Sequence, residues 1–195
     1  MVDGTILRTD GAPVGAPWGS LASSTIDKIF FRVNTAGTIT MDVLSWEWNY
    51  TTNMRVDVNG DGEFAFLDPE IRLFRDDGSL DAGDHLGSND DSSSTFADGS
   101  VDRIDSFMSM ALPVGDYILC IGAHSSSFTI ANAIAGMNPA AMTPATTNGT
   151  LAFTINDHGD YRVTFTGDVS IIPAPWCGMW LGLGGLLAKR SRRTA

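Results

Sequence analysis

Basic residues, cysteines and histidines are all scarce in this chain, and each scarcity argues against a class of function. Only 12 Lys and Arg stand against 23 Asp and Glu over 195 residues, a net charge of −11; phosphate binding needs a basic patch, so nucleic acid is disfavoured as a partner. Cys120 falls in a predicted strand and Cys177 in an apolar tail, so the two do not build a disulfide framework. Neither has the Cys-x-x-Cys spacing of a redox or metal site. His85, His124 and His158 are scattered, and the chain contains no His-Glu-x-x-His zinc motif and no Gly-x-Ser-x-Gly nucleophile elbow. The nearest approach to a nucleophile and its base is His124 beside Ser125, but neighbours on a strand or turn point apart. No catalytic residue is assigned and no enzyme activity is expected.

The C-terminal end is what the chain has instead. Ile172-Pro173-Ala174-Pro175 opens an apolar run from Trp176 to Ala188, which stops at Lys189-Arg190-Ser191-Arg192-Arg193. A hydrocarbon core of roughly 30 Å needs about 20 apolar residues, and Ile171 to Ala188 supplies at most 18, among them two prolines and four glycines. The stretch is marginal as a permanent anchor and suits transient anchoring followed by processing. A basic cluster beside an apolar segment stays cytoplasmic while the upstream chain is exported.

This tail resembles the PEP-CTERM sorting signal of exopolysaccharide-producing Gram-negative bacteria, with Pro173-Ala174-Pro175 where the family motif reads Pro-Glu-Pro. The resemblance implies a protein exported to the cell envelope or extracellular space, anchored transiently in the inner membrane and processed by an exosortase-like enzyme. Pro173, Pro175, Lys189, Arg190, Arg192 and Arg193 then form the sorting signal. Met1-Val2-Asp3-Gly4 has neither the basic start nor the apolar core of a secretory signal, so an export signal upstream of Met1, or an unusual route, is expected.

Residues 1–170 suit one domain, with 171–195 as the tail. Taking the four basic residues of the tail from the 12 leaves 8 against 23 acidic ones, a charge of −15 on the exported part. Lys28–Asn34 and Thr38–Trp46 alternate apolar with polar residues around Thr35-Ala36-Gly37 and read as a β-hairpin. Glu70–Arg75, Phe107–Leu112, Asp116–Ala123, Leu151–Ile155 and Tyr161–Gly167 repeat the pattern, with turns at Pro113–Asp116 and Asp157–Asp160. Thr129–Pro144 suggests a short helix and a loop. Many short strands without a long amphipathic helix predict an all-β fold, an antiparallel β-sandwich of jelly-roll type.

Asp68-Pro69-Glu70-Ile71-Arg72-Leu73-Phe74-Arg75-Asp76-Asp77-Gly78, then Ser88-Asn89-Asp90-Asp91, then Leu112-Pro113-Val114-Gly115-Asp116-Tyr117-Ile118-Leu119 resembles the bacterial pre-peptidase C-terminal domain. That resemblance implies an accessory or binding role and brings no catalytic residues.

Fourteen acidic residues lie between Asp57 and Asp105. Asp57, Asn59, Asp61, Glu63 and Asp68 occupy positions 1, 3, 5, 7 and 12 of a possible calcium loop, with Gly62 at position 6. No helix precedes Asp57 and Pro69 follows at once, which excludes a helix-loop-helix hand; an Asn-Gly/Asp-Gly turn without metal is the alternative. Asp76-Asp77-Gly78, Asp81, Asp84 and Asn89-Asp90-Asp91 form a second acidic group, read foremost as solvated turns. Trp46, Trp48 and Tyr50 alternate along one face, which suits a sandwich core better than a platform for sugar rings.

These features together predict a non-enzymatic exported protein, a binding or structural sandwich with calcium-stabilised acidic loops. Matrix polysaccharide or a surface protein is the expected partner. The alternative is an accessory domain of a larger secreted peptidase or glycosidase.

Overall fold

The period-two alternation of β-branched and aromatic residues produces an antiparallel β-sandwich in the computed structural model, which describes residues 1–8, 23–49, 51–57, 60, 62, 64, 67–92, 103–125, 128–139 and 159–174. Its strands are β1 (Val2–Ile6), β2 (Ser24–Thr25), β3 (Asp27–Val33), β4 (Gly37–Leu44), β5 (Trp48–Asn49), β6 (Met54–Arg55), β7 (Pro69–Asp76), β8 (His85–Asn89), β9 (Phe107–Leu112), β10 (Gly115–Ala123), β11 (Met137–Asn138), β12 (Gly159–Thr166) and β13 (Val169–Ile172). The two main sheets have the orders β1-β12-β4-β9 and β13-β3-β10-β7-β8, and β2 with β11 and β5 with β6 form two short ribbons. The all-β sandwich predicted from the sequence is the fold observed.

The predicted hairpin of β3 and β4 does not form. β3 pairs with β10 and β13, whereas β4 pairs with β9 and β12, so the chain crosses from one sheet to the other at Asn34–Ala36. Both strands carry an apolar face: Ile29, Phe31 and Val33 on one, Ile39, Met41 and Val43 on the other, and all six enter one core. A link spanning the roughly 10 Å between packed sheets satisfies those faces as well as a hairpin does. Alternation alone cannot tell the two apart.

Ile71, Leu73, Tyr117, Leu119 and Ile121 of the five-stranded sheet meet Met108, Leu112, Tyr161 and Val163 of the other sheet in this core, where each buried side chain contributes roughly 1.5–3 kcal/mol. The central strand β10 is buried on both faces. Its Ile118 and Cys120 pack outward with Phe74, beneath Phe128 and Ala133, where helix α1 (Ile130–Ala135) covers the sheet. That helix begins at an N-cap formed by Thr129 and ends at Gly136, whose φ of 78° suits glycine.

Two differences from the sequence reading concern the edges. β13 pairs Ile171 with Phe31 and Ile172 with Phe30, so the sheet extends two residues past the boundary drawn at 170. Trp46 is fully buried and Trp48 is buried beside it, the core placement that their alternation favoured, so neither offers an exposed face to a sugar ring. β1 was not anticipated as a strand; its Gly4 lies opposite Tyr161, whose ring fills the space a Cβ would occupy. Tyr50, His158 and the predicted strand Leu151–Ile155 lie outside the described residues.

Candidate functional site

Three neighbouring strands bring polar side chains together at one end of the five-stranded sheet. β7 starts there, β8 ends there and β10 ends there: Pro69 pairs with Ala123, Glu70 with Gly122 and Ile71 with Asn89. The backbone N–H of His124 donates to Asp68 O at 2.7 Å, which extends the ladder by one step. Asp68, Glu70, Asp90, Asp91 and His124 therefore lie close together at the same end.

The hairpin end carrying Asp90 and Asp91 is held by its own polar groups. Asn89 Oδ1 accepts from Phe107 N at 2.8 Å, and Asn89 Nδ2 donates to Asp91 O at 3.1 Å. The Ser106 hydroxyl lies 2.5 Å from Asp90 O and 2.7 Å from Pro69 O, between the two strands that supply the acidic groups. Next to it the buried Asp105 accepts from Ser45 N at 2.9 Å and Trp46 N at 2.8 Å, tying the end of β4 to this region.

His124 Nδ1 lies 2.6 Å from Asp90 Oδ1 and 3.4 Å from Glu70 Oε2. These two carboxylates hold the imidazolium and raise the His124 pKa to about 10, Asp90 more strongly than Glu70. Glu70 is buried, and its other oxygen accepts from Arg72 Nη2 at 2.7 Å. Arg72 in turn donates through Nε to Phe128 O at 2.8 Å and lies over the Phe128 ring. Asp68 is partly buried; burial foremost, with the charges of Asp90, Asp91 and Glu70, raises its pKa to about 7 against the opposing pull of His124.

Two overlapping groups of potential metal ligands result. Glu70, Asp90 and His124 form one and Asp68, Asp90 and Asp91 the other; within each, the ligand atoms all lie within 4.8 Å of one another. The first mixes nitrogen with oxygen donors, and the second offers oxygen alone.

The residues of the proposed calcium loop are placed differently. Asp57 Oδ1 accepts from Gly60 N at 2.6 Å and Oδ2 from Gly62 N at 3.0 Å, bonds of a turn that needs no metal. Gly60 and Gly62 have φ of 78° and 87°, where glycine avoids the Cβ penalty. Asn59, Asp61 and Glu63 lie outside the described residues. Asp68, the last of the set, belongs to the cluster with Asp90 and Asp91.

The second acidic group divides. Asp76 and Asp77 accept from Gly78 N and Ser79 N, while Asp81 and Asp84 cap a short 3-10 turn at Ala82–Asp84, so these are turn-forming residues. Asp90 and Asp91 stand at the opposite end of β8, in the ligand cluster. His85 packs its ring against Phe74, with centroids 5.3 Å apart. Burial raises the Cys120 thiol to about 12, foremost among its influences, which leaves it protonated at neutral pH.

His124 and Ser125 face different partners. The imidazole meets carboxylates, while Ser125 Oγ is buried against Asn138 Oδ1 at 3.2 Å. Of the residues read from the sequence as a sorting signal, Pro173 is exposed directly after β13; Pro175, Lys189, Arg190, Arg192 and Arg193 lie outside the described residues. Among the described residues, no helix is long and apolar enough to cross a membrane.

No protein-family model, curated protein or solved structure matches this chain.

Proposed function

We propose that this chain is a non-catalytic exported protein of the cell envelope or extracellular matrix, a β-sandwich that acts by binding and whose acidic loops are stabilised by calcium. The observation that carries the reading is the convergence of Asp68, Asp90 and Asp91 at one end of the sandwich. Three carboxylates in that space repel one another, and calcium is the hard cation that oxygen-only donors suit. The separate orientations of His124 and Ser125 support binding over nucleophilic catalysis. The order of prolines, apolar run and basic cluster supports export, with an exosortase-like enzyme acting on the tail.

Matrix polysaccharide or a surface protein is the partner class consistent with that address. With Trp46 and Trp48 buried, the acidic loops are the proposed contact surface.

Thermal unfolding with calcium and with chelator tests the reading. A ligand specific to the folded state stabilises it by about 2.7 kcal/mol at one hundred times its dissociation constant, so saturating calcium should raise Tm and Asp91→Asn should remove most of that rise. Loss of the increment in Asp57→Ala, with Asp91→Asn still responding, would place the ion in the twelve-residue loop. An identical melting curve for the unsubstituted protein in calcium and in chelator would exclude calcium from both.

A further inference from the structure

We propose that Glu70, Asp90 and His124 form a second cation site, one that takes zinc. The inference rests on the reading of this end of the sandwich as cation-binding, and it assigns a different ion to a different set of atoms.

The donors fit the ion once it replaces the proton that Nδ1 of His124 now shares with the carboxylates, which is released to solvent on binding. Zinc is held by imidazole nitrogen and carboxylate oxygen at about 2.0–2.2 Å, and a tetrahedral arrangement at those lengths sets neighbouring donors about 3.3 Å apart. His124 Nδ1 and Glu70 Oε2 already stand 3.4 Å apart. Asp90 Oδ1, at 2.6 Å from the same nitrogen, needs to withdraw by less than an ångström. Its side chain is 42% exposed. Three protein ligands leave the fourth position to water, the pattern of an open zinc site.

The surroundings also point to a cation. Glu70 is only 7% exposed, so it is nine-tenths buried, and its Oε2 is directed at the group while Arg72 holds Oε1 from the other side at 2.7 Å. A partner that orients a ligating carboxylate in this way is a recurring part of metal sites. Asp68 Oδ1 is buried next to the group without a hydrogen-bond partner. Four carboxylates, those of Asp68, Glu70, Asp90 and Asp91, converge there, with Arg72 paired to Glu70 and His124 to Glu70 and Asp90.

The nitrogen donor separates this site from the calcium site. Calcium collects six to eight oxygens, whereas imidazole suits zinc. Asp90 belongs to both groups of donors and would bridge the two ions if both were bound.

Isothermal titration of the full, untagged chain in detergent with zinc chloride, and separately with calcium chloride, tests the assignment. Zinc should bind once per chain and weaken by at least about tenfold in Glu70→Gln and in His124→Ala, while calcium-induced stabilisation persists in His124→Ala. Nitrogen NMR of the unsubstituted chain should show zinc shifting Nδ1 of His124, a readout that does not depend on the variants folding. Absence of zinc binding, full zinc affinity in both folded variants, or an unmoved Nδ1 would overturn the assignment. Failure of calcium alone would count against the calcium reading and leave the zinc site standing.

Discussion

Glu70 and Arg72 stand two residues apart on β7 and face the same way, and their 2.7 Å ion pair is partly sealed from solvent by Phe128. Arg72 gives the nearly buried Glu70 a guanidinium partner beside the cluster. Breaking a buried pair from one side leaves an uncompensated charge. Arg72→Met should therefore destabilise the fold by about 3 kcal/mol, as measured by urea unfolding. A change within about 0.5 kcal/mol, typical of an ordinary surface substitution, would show that the pair is not structural.

The pH dependence follows from two groups whose folded-state pKa is raised. His124 gains carboxylate partners, so its stabilisation is complete below its ordinary value of 6.5 and is lost as pH rises through about 10. Asp68 is raised from 3.8 to about 7, so the folded state binds the extra proton between those values and stability again declines as pH rises through that window. Without added metal, stability should fall from about pH 4 to 7 and again towards pH 10. Asp68→Asn should flatten the acid part of the curve and leave the alkaline part; an unchanged profile would refute the assignment to Asp68.

Gly4 has a steric reason for lacking a side chain. A Cβ there would lie 2.3 Å from Tyr161 Oη, and that hydroxyl donates to Asp27 at 2.9 Å. Gly4→Ala should displace the ring, break this bond and cost about 1–3 kcal/mol, the usual range for overpacking. A crystal structure of the variant with the Tyr161–Asp27 bond intact would contradict the account.

Trp46 is fully buried, so its removal acts on the core. Trp46→Ala should lower stability by about 3–5 kcal/mol through the cavity it leaves. Circular-dichroism melting would show this directly, and a variant as stable as the parent would mean that the side chain lies outside the core.

Much of the fold was legible because alternation is a local signal. The segments read at Glu70–Arg75, Phe107–Leu112 and Asp116–Ala123 are the cores of β7, β9 and β10. Pairing was less legible: Asn34–Ala36 is as suited to crossing the sandwich as to reversing within a sheet, and the predicted hairpin was lost there. The candidate site was hidden for the same reason. Asp68 was placed in a calcium loop, Asp90 and Asp91 in turns and His124 beside Ser125, because each was compared with its neighbours in sequence. What unites them is the adjacency of β7, β8 and β10; the strand ends beside Asp68 and His124 were readable, whereas β8, which ends beside Asp90, carries no alternating apolar pattern.

The central claim is that the sandwich is exported and its tail processed, and the C-terminus of the mature protein tests this most directly. Cells producing the full chain with its native upstream region should be fractionated, and the intact mass of the purified protein measured. The account predicts a form in the envelope or medium that has lost Lys189–Arg193 and most of the apolar run, with β13 retained through Ile172. An intact chain ending at Ala195 and confined to the cytosol would contradict it.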